Sequence, residues 1–475
     1  MADTVVLFSP ELVLTGMAAV FFAFSLTRPH PMLLQAVAMV FALMALIAST
    51  FTYATSGVLF AGAYRVDPFA QTFKILISLG MLLVLWLGAG LRGIKRSVRP
   101  EYYFFFALSC LGLMMMCSAT ELLTILLSLE ISSFSVYILI PLRFGVGQRA
   151  PLEAGIKYIL FGMVATGITL YGMSFLFGLT GTTDLVAIVA ALPRPLSLQP
   201  LALIGLVMML CGIFYKLALF PMHFWMPDIF VGAAHETTAF VATIPKIAAT
   251  ALLIRVVTLC GPNTQLSIML AIMAVLSMTL GNLLALAQDD IKRLLAYSSI
   301  AHAGYLIIGV LCIEPFGLLS SMYYIYGYLW MSLACFFVIY NLADDGRNIR
   351  FRDLRGLYKR SPMMAGVLVL GAIGLAGLPP TIGFTGKFMI FAAALKQKYY
   401  WLVGLAVFNV CVSAFYYLRL VRAAYSNVEH ETEPIDLSLA ANLLGLLIIV
   451  SIIIGGLLPQ NFLSLAREGL LAVMQ

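Results

Sequence analysis

Runs of about 20 apolar residues, separated by short polar connections, recur along the whole chain, and this is the length a helix needs to cross a hydrocarbon core of ~30 Å. On that pattern fourteen segments begin near residues 8, 32, 69, 102, 121, 155, 200, 237, 266, 294, 317, 363, 400 and 438. The expected fold class is an all-α polytopic membrane protein with one membrane domain over residues 1–475. Two segments carry interruptions. The run from Leu201 to Phe230 would measure ~45 Å as one helix and contains Pro221. The run from Met363 to Leu395 is broken by GLAGLPPTIGFTG. Broken helices at membrane depth are tolerated where protein or a watery cavity satisfies the freed backbone, and they mark transport sites.

Polar residues inside the apolar runs carry the candidate chemistry. An ionisable group at the bilayer centre costs ~2.5–3.5 kcal/mol even on lenient scales, so each one is a functional hypothesis. Glu130 lies in the middle of LLTILLSLEISSFSVYILI, and Lys246 follows Pro245 near mid-span. Lys216 precedes the first interruption and Lys387 follows the second. A lysine taken out of water gives up its proton more readily, and a nearby carboxylate restores its hold, so a changing separation moves a proton. The alternative is mutual salt-bridging that only holds helices together. Glu153 and Lys157 are spaced i,i+4 and can pair, either as an interfacial pair or as part of a charge chain. His223 beside Pro221 and His302 in YSSIAHAGY are candidate relays, or hydrogen-bonded imidazoles next to helix breaks. Lys74 and Arg255 sit nearer helix ends, where snorkelling is the expected behaviour.

Composition agrees with this pattern: 62% of residues are hydrophobic and 10% charged, against about 25% charged in soluble domains, with a mean hydropathy of +1.02. The net charge of +7 reflects topology and gives no sign of nucleic-acid binding. Eighteen Lys and Arg fall in connections after odd segments, among them Arg28, Arg96, Arg99, Arg143, Lys292 and Arg352. Only Arg65, Arg194, Lys396 and Lys398 follow even ones. The basic connections are expected on the cytoplasmic side and both termini on the periplasmic side. No basic residue precedes Arg28, so a retained first helix is expected instead of a cleaved signal. Seven cysteines show no C-x-x-C spacing and read as small buried hydrophobes, with iron–sulfur and zinc sites not expected.

With these residues in view, the chain resembles the antiporter-related membrane subunits of respiratory complex I. The likeness is carried by YKLALFPMHFWMPDIFVGAAHETTAFVATIPKIAA from Tyr215 and AQDDIKRLLAYSSIAHAGY ending at Tyr305. The superfamily includes subunits of multisubunit cation/proton antiporters and membrane-bound hydrogenases. Lys387 in PPTIGFTGKFMIF, where M-type members have Glu, and an end soon after the fourteenth segment favour the N-type over the M- and L-types.

The resemblance implies a proton-translocating subunit of an NADH:quinone oxidoreductase in the bacterial inner membrane. It implies Glu130 and Lys216 as a pair on the uptake side, Lys246 as the central relay and Lys387 towards the exit. It also implies two inverted five-helix repeats, about 102–259 and 266–420. No cofactor is expected in this chain; NADH, FMN, iron–sulfur clusters and quinone would belong to partner subunits. M-type and K-type neighbours and lipids are the implied partners. GAAHE at 232–236, where relatives commonly have Gly-Ala-Pro, is a departure that leaves the shape of that loop open. Two other readings remain: a cation/proton antiporter or hydrogenase subunit, and a non-conducting structural subunit of the membrane arm.

Overall fold

The computed structural model describes residues 2–27, 29–144, 147, 149–192, 199–343, 346–427 and 433–474. Arg28 and Arg194, used above for orientation, lie outside these residues. The helices of the first part are α1 (Ala2–Leu7), α2 (Ser9–Thr27), α3 (Pro31–Phe51), α4 (Pro68–Leu87), α5 (Arg99–Ser118), α6 (Leu122–Leu139) and α7 (Arg149–Thr180). There follow α8 (Leu185–Ala191), α9 (Pro200–Leu217), α10 (Met226–Gly232), α11 (His235–Cys260), α12 (Thr264–Leu286) and α13 (Ile291–Val310). The last are α14 (Pro315–Leu342), α15 (Leu357–Arg360), α16 (Pro362–Ala376), α17 (Ile382–Lys396), α18 (Tyr400–Ala424), α19 (Leu439–Leu457) and α20 (Gln460–Met474).

Thirteen of these are long and apolar enough to cross a membrane. The halves α16 and α17, each 15 residues, together make the fourteenth crossing. The chain is therefore a multi-pass membrane protein. Expected and observed starts differ most at α7, placed near 155 and beginning at Arg149. At 32 residues this helix runs to ~48 Å, so its first turns project beyond the apolar layer.

Burial grades outward from α11, whose apolar stretch is wholly enclosed, through α14 and α13, to α19 and α3, which keep most of their apolar surface outward. Lipid tails are as apolar as leucine, so helices in a bilayer associate through close packing and hydrogen bonds. Small residues permit it here. A Cβ on Gly172 of α7 would collide with the Met209 amide of α9, and one on Gly281 of α12 would lie 2.7 Å from the Ala301 amide of α13.

Two features depart from the apolar pattern's expectation. A short hairpin, β1 (Gly57–Leu59) paired antiparallel with β2 (Tyr64–Val66), joins α3 to α4. Beyond the fourteenth crossing, α20 turns Ala466, Leu470 and Val473 inward and packs across α4, α11 and α14. The Tyr53 hydroxyl donates to the Leu465 carbonyl at 2.8 Å to fasten it. Alternating apolar residues over three positions are too short a strand signal, and an amphipathic helix is too polar for a hydropathy window.

The expectation that Lys74 and Arg255 snorkel is overturned. Lys74 is fully buried and meets the equally buried Glu11 carboxylate of α2 at 2.8 Å, while the Tyr64 hydroxyl donates to the same carboxylate at 2.6 Å. Arg255 donates to both oxygens of Asp67 at 3.0 and 3.1 Å and to the Cys117 carbonyl at 3.2 Å. Asp67 also caps α4 by accepting from the Ala70 amide at 2.7 Å. The partners are far away in sequence, so spacing could not reveal them. Removing one member of a buried ion pair costs about 3–5 kcal/mol, whereas an apolar pair of similar volume is often tolerated. Glu11→Leu is therefore expected to lower the thermal midpoint of the purified protein sharply, and Glu11→Leu with Lys74→Met to restore most of the loss.

Candidate functional site

The first broken helix forms because α9 stops just after Lys216: Ala218 is left-handed at φ 57° and its amide closes the last turn. The groups freed by the break find partners. The Phe220 amide donates to Ser277 Oγ at 2.9 Å and the Trp225 indole to the Tyr215 carbonyl at 3.1 Å. Lys216, almost fully buried, donates to Ser132 Oγ of α6 at 3.1 Å. On the same helix as Ser132, Glu130 accepts from Thr166 of α7 at 2.6 Å. Glu130 and Lys216 line one small cavity with Thr169 and Tyr215, with room for about one water molecule. Among the described residues no ion pair joins them.

In α11, Pro245 lies inside a continuous helix. Lys246 donates to Ser299 of α13 twice, to its carbonyl at 2.8 Å and its hydroxyl at 2.6 Å. Ser299 Oγ in turn lies 2.5 Å from the Tyr328 hydroxyl. Lys246 and His302 face a second small cavity closed by Leu217, Tyr324 and Tyr328. Leu217 adjoins Lys216, so the end of α9 reaches both cavities. His302 bonds the Tyr324 hydroxyl through Nδ1 at 2.6 Å and the Tyr417 hydroxyl through Nε2 at 3.0 Å, and Tyr417 also meets Ser298.

The second break places Lys387 differently. Its ammonium donates to the carbonyls of Leu375 and Ala376 at 2.8 and 3.0 Å, the last residues of α16. These are carbonyls that a helix end leaves without partners, at the negative end of its dipole. The Lys387 Nζ also lies 4.8 Å from the centre of the Tyr305 ring, and that ring is 5.9 Å from the His302 ring. Tyr305 accepts from Asn282 at 3.1 Å, and Asn282 bonds Asn409 and Tyr416.

Five helices, α6, α9, α11, α13 and α17, thus bring Glu130, Lys216, Lys246, His302 and Lys387 onto one polar line, with Glu130 half-buried and the other four buried. The other three candidates stand apart. His223 packs between Phe220 and Phe224 and makes no bond to the line among the described residues. Lys157 meets Glu153 at 2.8 Å and Asp228 of α10 at 2.7 Å in a partly exposed cluster at the helix ends. The GAAHE loop is short and tied down: Lys292 donates to the Ala233 carbonyl at 2.7 Å, and Glu236 accepts from the Gly93 amide at 3.1 Å.

Sequence reasoning missed the hydroxyl carriers Ser132, Thr166, Ser299, Tyr324, Tyr328 and Tyr417. A signal existed for some: Tyr324 and Tyr328 are i,i+4 in an apolar helix, which puts both on one face.

Residues 119–413 match the family model described as NADH:quinone oxidoreductase/Mrp antiporter, transmembrane. The chain belongs to this family. Relatives named NADH-quinone oxidoreductase subunit N 2 include one from Opitutus terrae, 42% identical over 95% of each chain. Another, from Syntrophobacter fumaroxidans, is 39% identical over 98% of this chain and 99% of that one. Among solved structures, a chain of respiratory complex I from Thermus thermophilus is 32% identical with a TM-score of 0.83, covering 96% of this chain and 99% of that chain. A chain of the Mrp complex from Dietzia shares the fold, with a TM-score of 0.87 at 18% identity over the full length of both.

Gly377, at φ 86°, is where this family member has no room for a side chain: a Cβ would lie 2.8 Å from Lys387 Cδ. A left-handed conformation costs an L-residue about 1–2 kcal/mol. Gly377→Ala should lower the thermal midpoint and displace the ammonium from its two carbonyls, cutting proton pumping. Gly404→Ala, with open space at its Cβ, should change neither.

Proposed function

We propose that the chain is the N-type proton-translocating subunit of the membrane arm of an NADH:quinone oxidoreductase, with Glu130, Lys216, Lys246 and Lys387 as its relay and His302 between the last two. The observation that carries this reading is how the three lysines are held. Each ammonium rests on neutral oxygens, from Ser132, Ser299 or the end of α16, and none has a carboxylate within ion-pair distance among the described residues. A lysine held so can release its proton and take it back, which a closed ion pair resists.

In this mechanism quinone reduction elsewhere in the complex shifts the field at Glu130 and weakens its hold on the Lys216 proton. The proton passes to Lys246 past the cavities that Lys216 and Leu217 adjoin. From Lys246 it moves over Ser299, Tyr328 and His302 towards Lys387, which releases one to the far side. The membrane potential opposes each charge by ~2.3 kcal/mol per 100 mV, and the coupling supplies at least that. NADH, FMN, iron–sulfur clusters and quinone belong to partner subunits, and M-type and K-type subunits are the proposed neighbours. The basic connections lie on the cytoplasmic side of a bacterial inner membrane and both termini on the periplasmic side. The two repeats, about 102–259 and 266–420, each contain one broken crossing, α9 with α10 and α16 with α17.

The test is Lys246→Ala in membranes, with assembly checked on a native gel. Quinone reduction and NADH-driven proton pumping should fall together, by tenfold or more, in an assembled complex. Full turnover with full pumping would remove Lys246 from the path.

A further inference from the structure

On the face where α2 ends and α3 and α5 begin, a cavity of about 780 Å³ opens between two connections. It is lined by Arg96, Ser97 and Arg99 from the connection into α5 and by His30, Leu34 and Gln35 from the start of α3. Among the described residues no carboxylate lines it. Arg96 is exposed and makes no hydrogen bond or ion pair among the described residues. Arg99 gives one guanidinium nitrogen to the Leu91 carbonyl at 3.1 Å and leaves its buried Nε without a partner. The His30 Nδ1 accepts from the Met32 amide at 3.3 Å. Among the described residues the cavity is a set of donors with positive charge and no protein anion to answer it.

What adjoins the cavity identifies the occupant. From its rim, α3 presents Met32, Leu33, Val40, Leu43, Met44, Ile47 and Phe51 outward, all exposed. Their spacing keeps them on one helix face from the first turn to the last. Water would not be tolerated along that stripe, and a free phosphate would make no use of it. A molecule with an anionic head and long apolar tails satisfies both.

We infer that this cavity binds an anionic phospholipid, its phosphate between Arg96 and Arg99 and its acyl chains laid along α3. Basic pockets at the ends of membrane helices recognise such headgroups, each Lys or Arg near the surface contributing about a fivefold gain in affinity. The inference does not rest on the proton relay, which lies on other helices.

The experiment uses the purified, delipidated complex and measures retention of phosphatidylglycerol by native mass spectrometry. Phosphatidylcholine and inorganic phosphate serve as the comparison probes. Arg96→Gln, which removes a side chain with no partner to disturb, should weaken phosphatidylglycerol about fivefold, and Arg96→Gln with Arg99→Gln about thirtyfold. Lys359→Gln, a charge change outside the cavity, should leave it unchanged. Equal retention by the Arg96 variants, equal binding of phosphatidylcholine, full competition by inorganic phosphate, or no lipid on the unaltered complex would each overturn the assignment.

Discussion

An ammonium group in a bilayer has to be surrounded by oxygen atoms, and how this fold supplies them sorts its buried cations into two kinds. Lys74 and Arg255 are answered by the carboxylates of Glu11 and Asp67. Those pairs are neutral as units and fasten α2 to α4 and α4 to α11. Lys216, Lys246 and Lys387 are answered by hydroxyls and carbonyls. A hydroxyl or carbonyl stabilises the charge but does not cancel it, so the second kind stays sensitive to a changing field. The first kind of site binds the helices together; Lys292 and Arg143, also held by neutral oxygens, tie down connections at the helix ends, and in the proposed function it is the three lysines along the helix breaks and α11 that exchange protons.

The breaks in the helices follow from the same constraint. Lys387, buried in the fold, needs acceptors, and the end of α16 has unpaired carbonyls to give. Gly377 permits the chain to turn there and leaves room for the lysine to lie against it. At the other break, the end of α9 brings Lys216 beside Ser132 and its neighbour Leu217 to the cavity of Lys246. Neither arrangement is available to an unbroken helix, whose carbonyls are consumed internally. The tyrosines of α14 and α18 then continue the line, because a phenol offers a hydroxyl at the tip of a body apolar enough to be buried.

Much of this was legible in the sequence. Apolar runs of the right length placed every crossing, and Glu130, Lys216, Lys246 and Lys387 stood out because charge at mid-span is costly. What stayed hidden was pairing across distant segments. Lys74 and Arg255 looked like snorkelling residues because Glu11 and Asp67 lie 63 and 188 residues from them in sequence. The hydroxyl carriers were hidden for another reason: Ser and Tyr are common in apolar helices, and only the packing of α13, α14 and α18 shows which of them meet His302 and Lys246. His223, singled out by its place beside Pro221 as a relay or a structural imidazole, packs between aromatic rings, a contact that its sequence position does not show.

The central claim is that the polar line conducts protons and does more than hold helices together. It is tested most directly by removing hydroxyls and keeping shape, with Ser299→Ala and Tyr328→Phe in one assembled complex. Both changes preserve the packing of α13 on α14. NADH-driven proton uptake and quinone reduction, measured together in sealed vesicles, are predicted to fall severalfold and in parallel. Unchanged rates for both in a fully assembled complex would contradict the account.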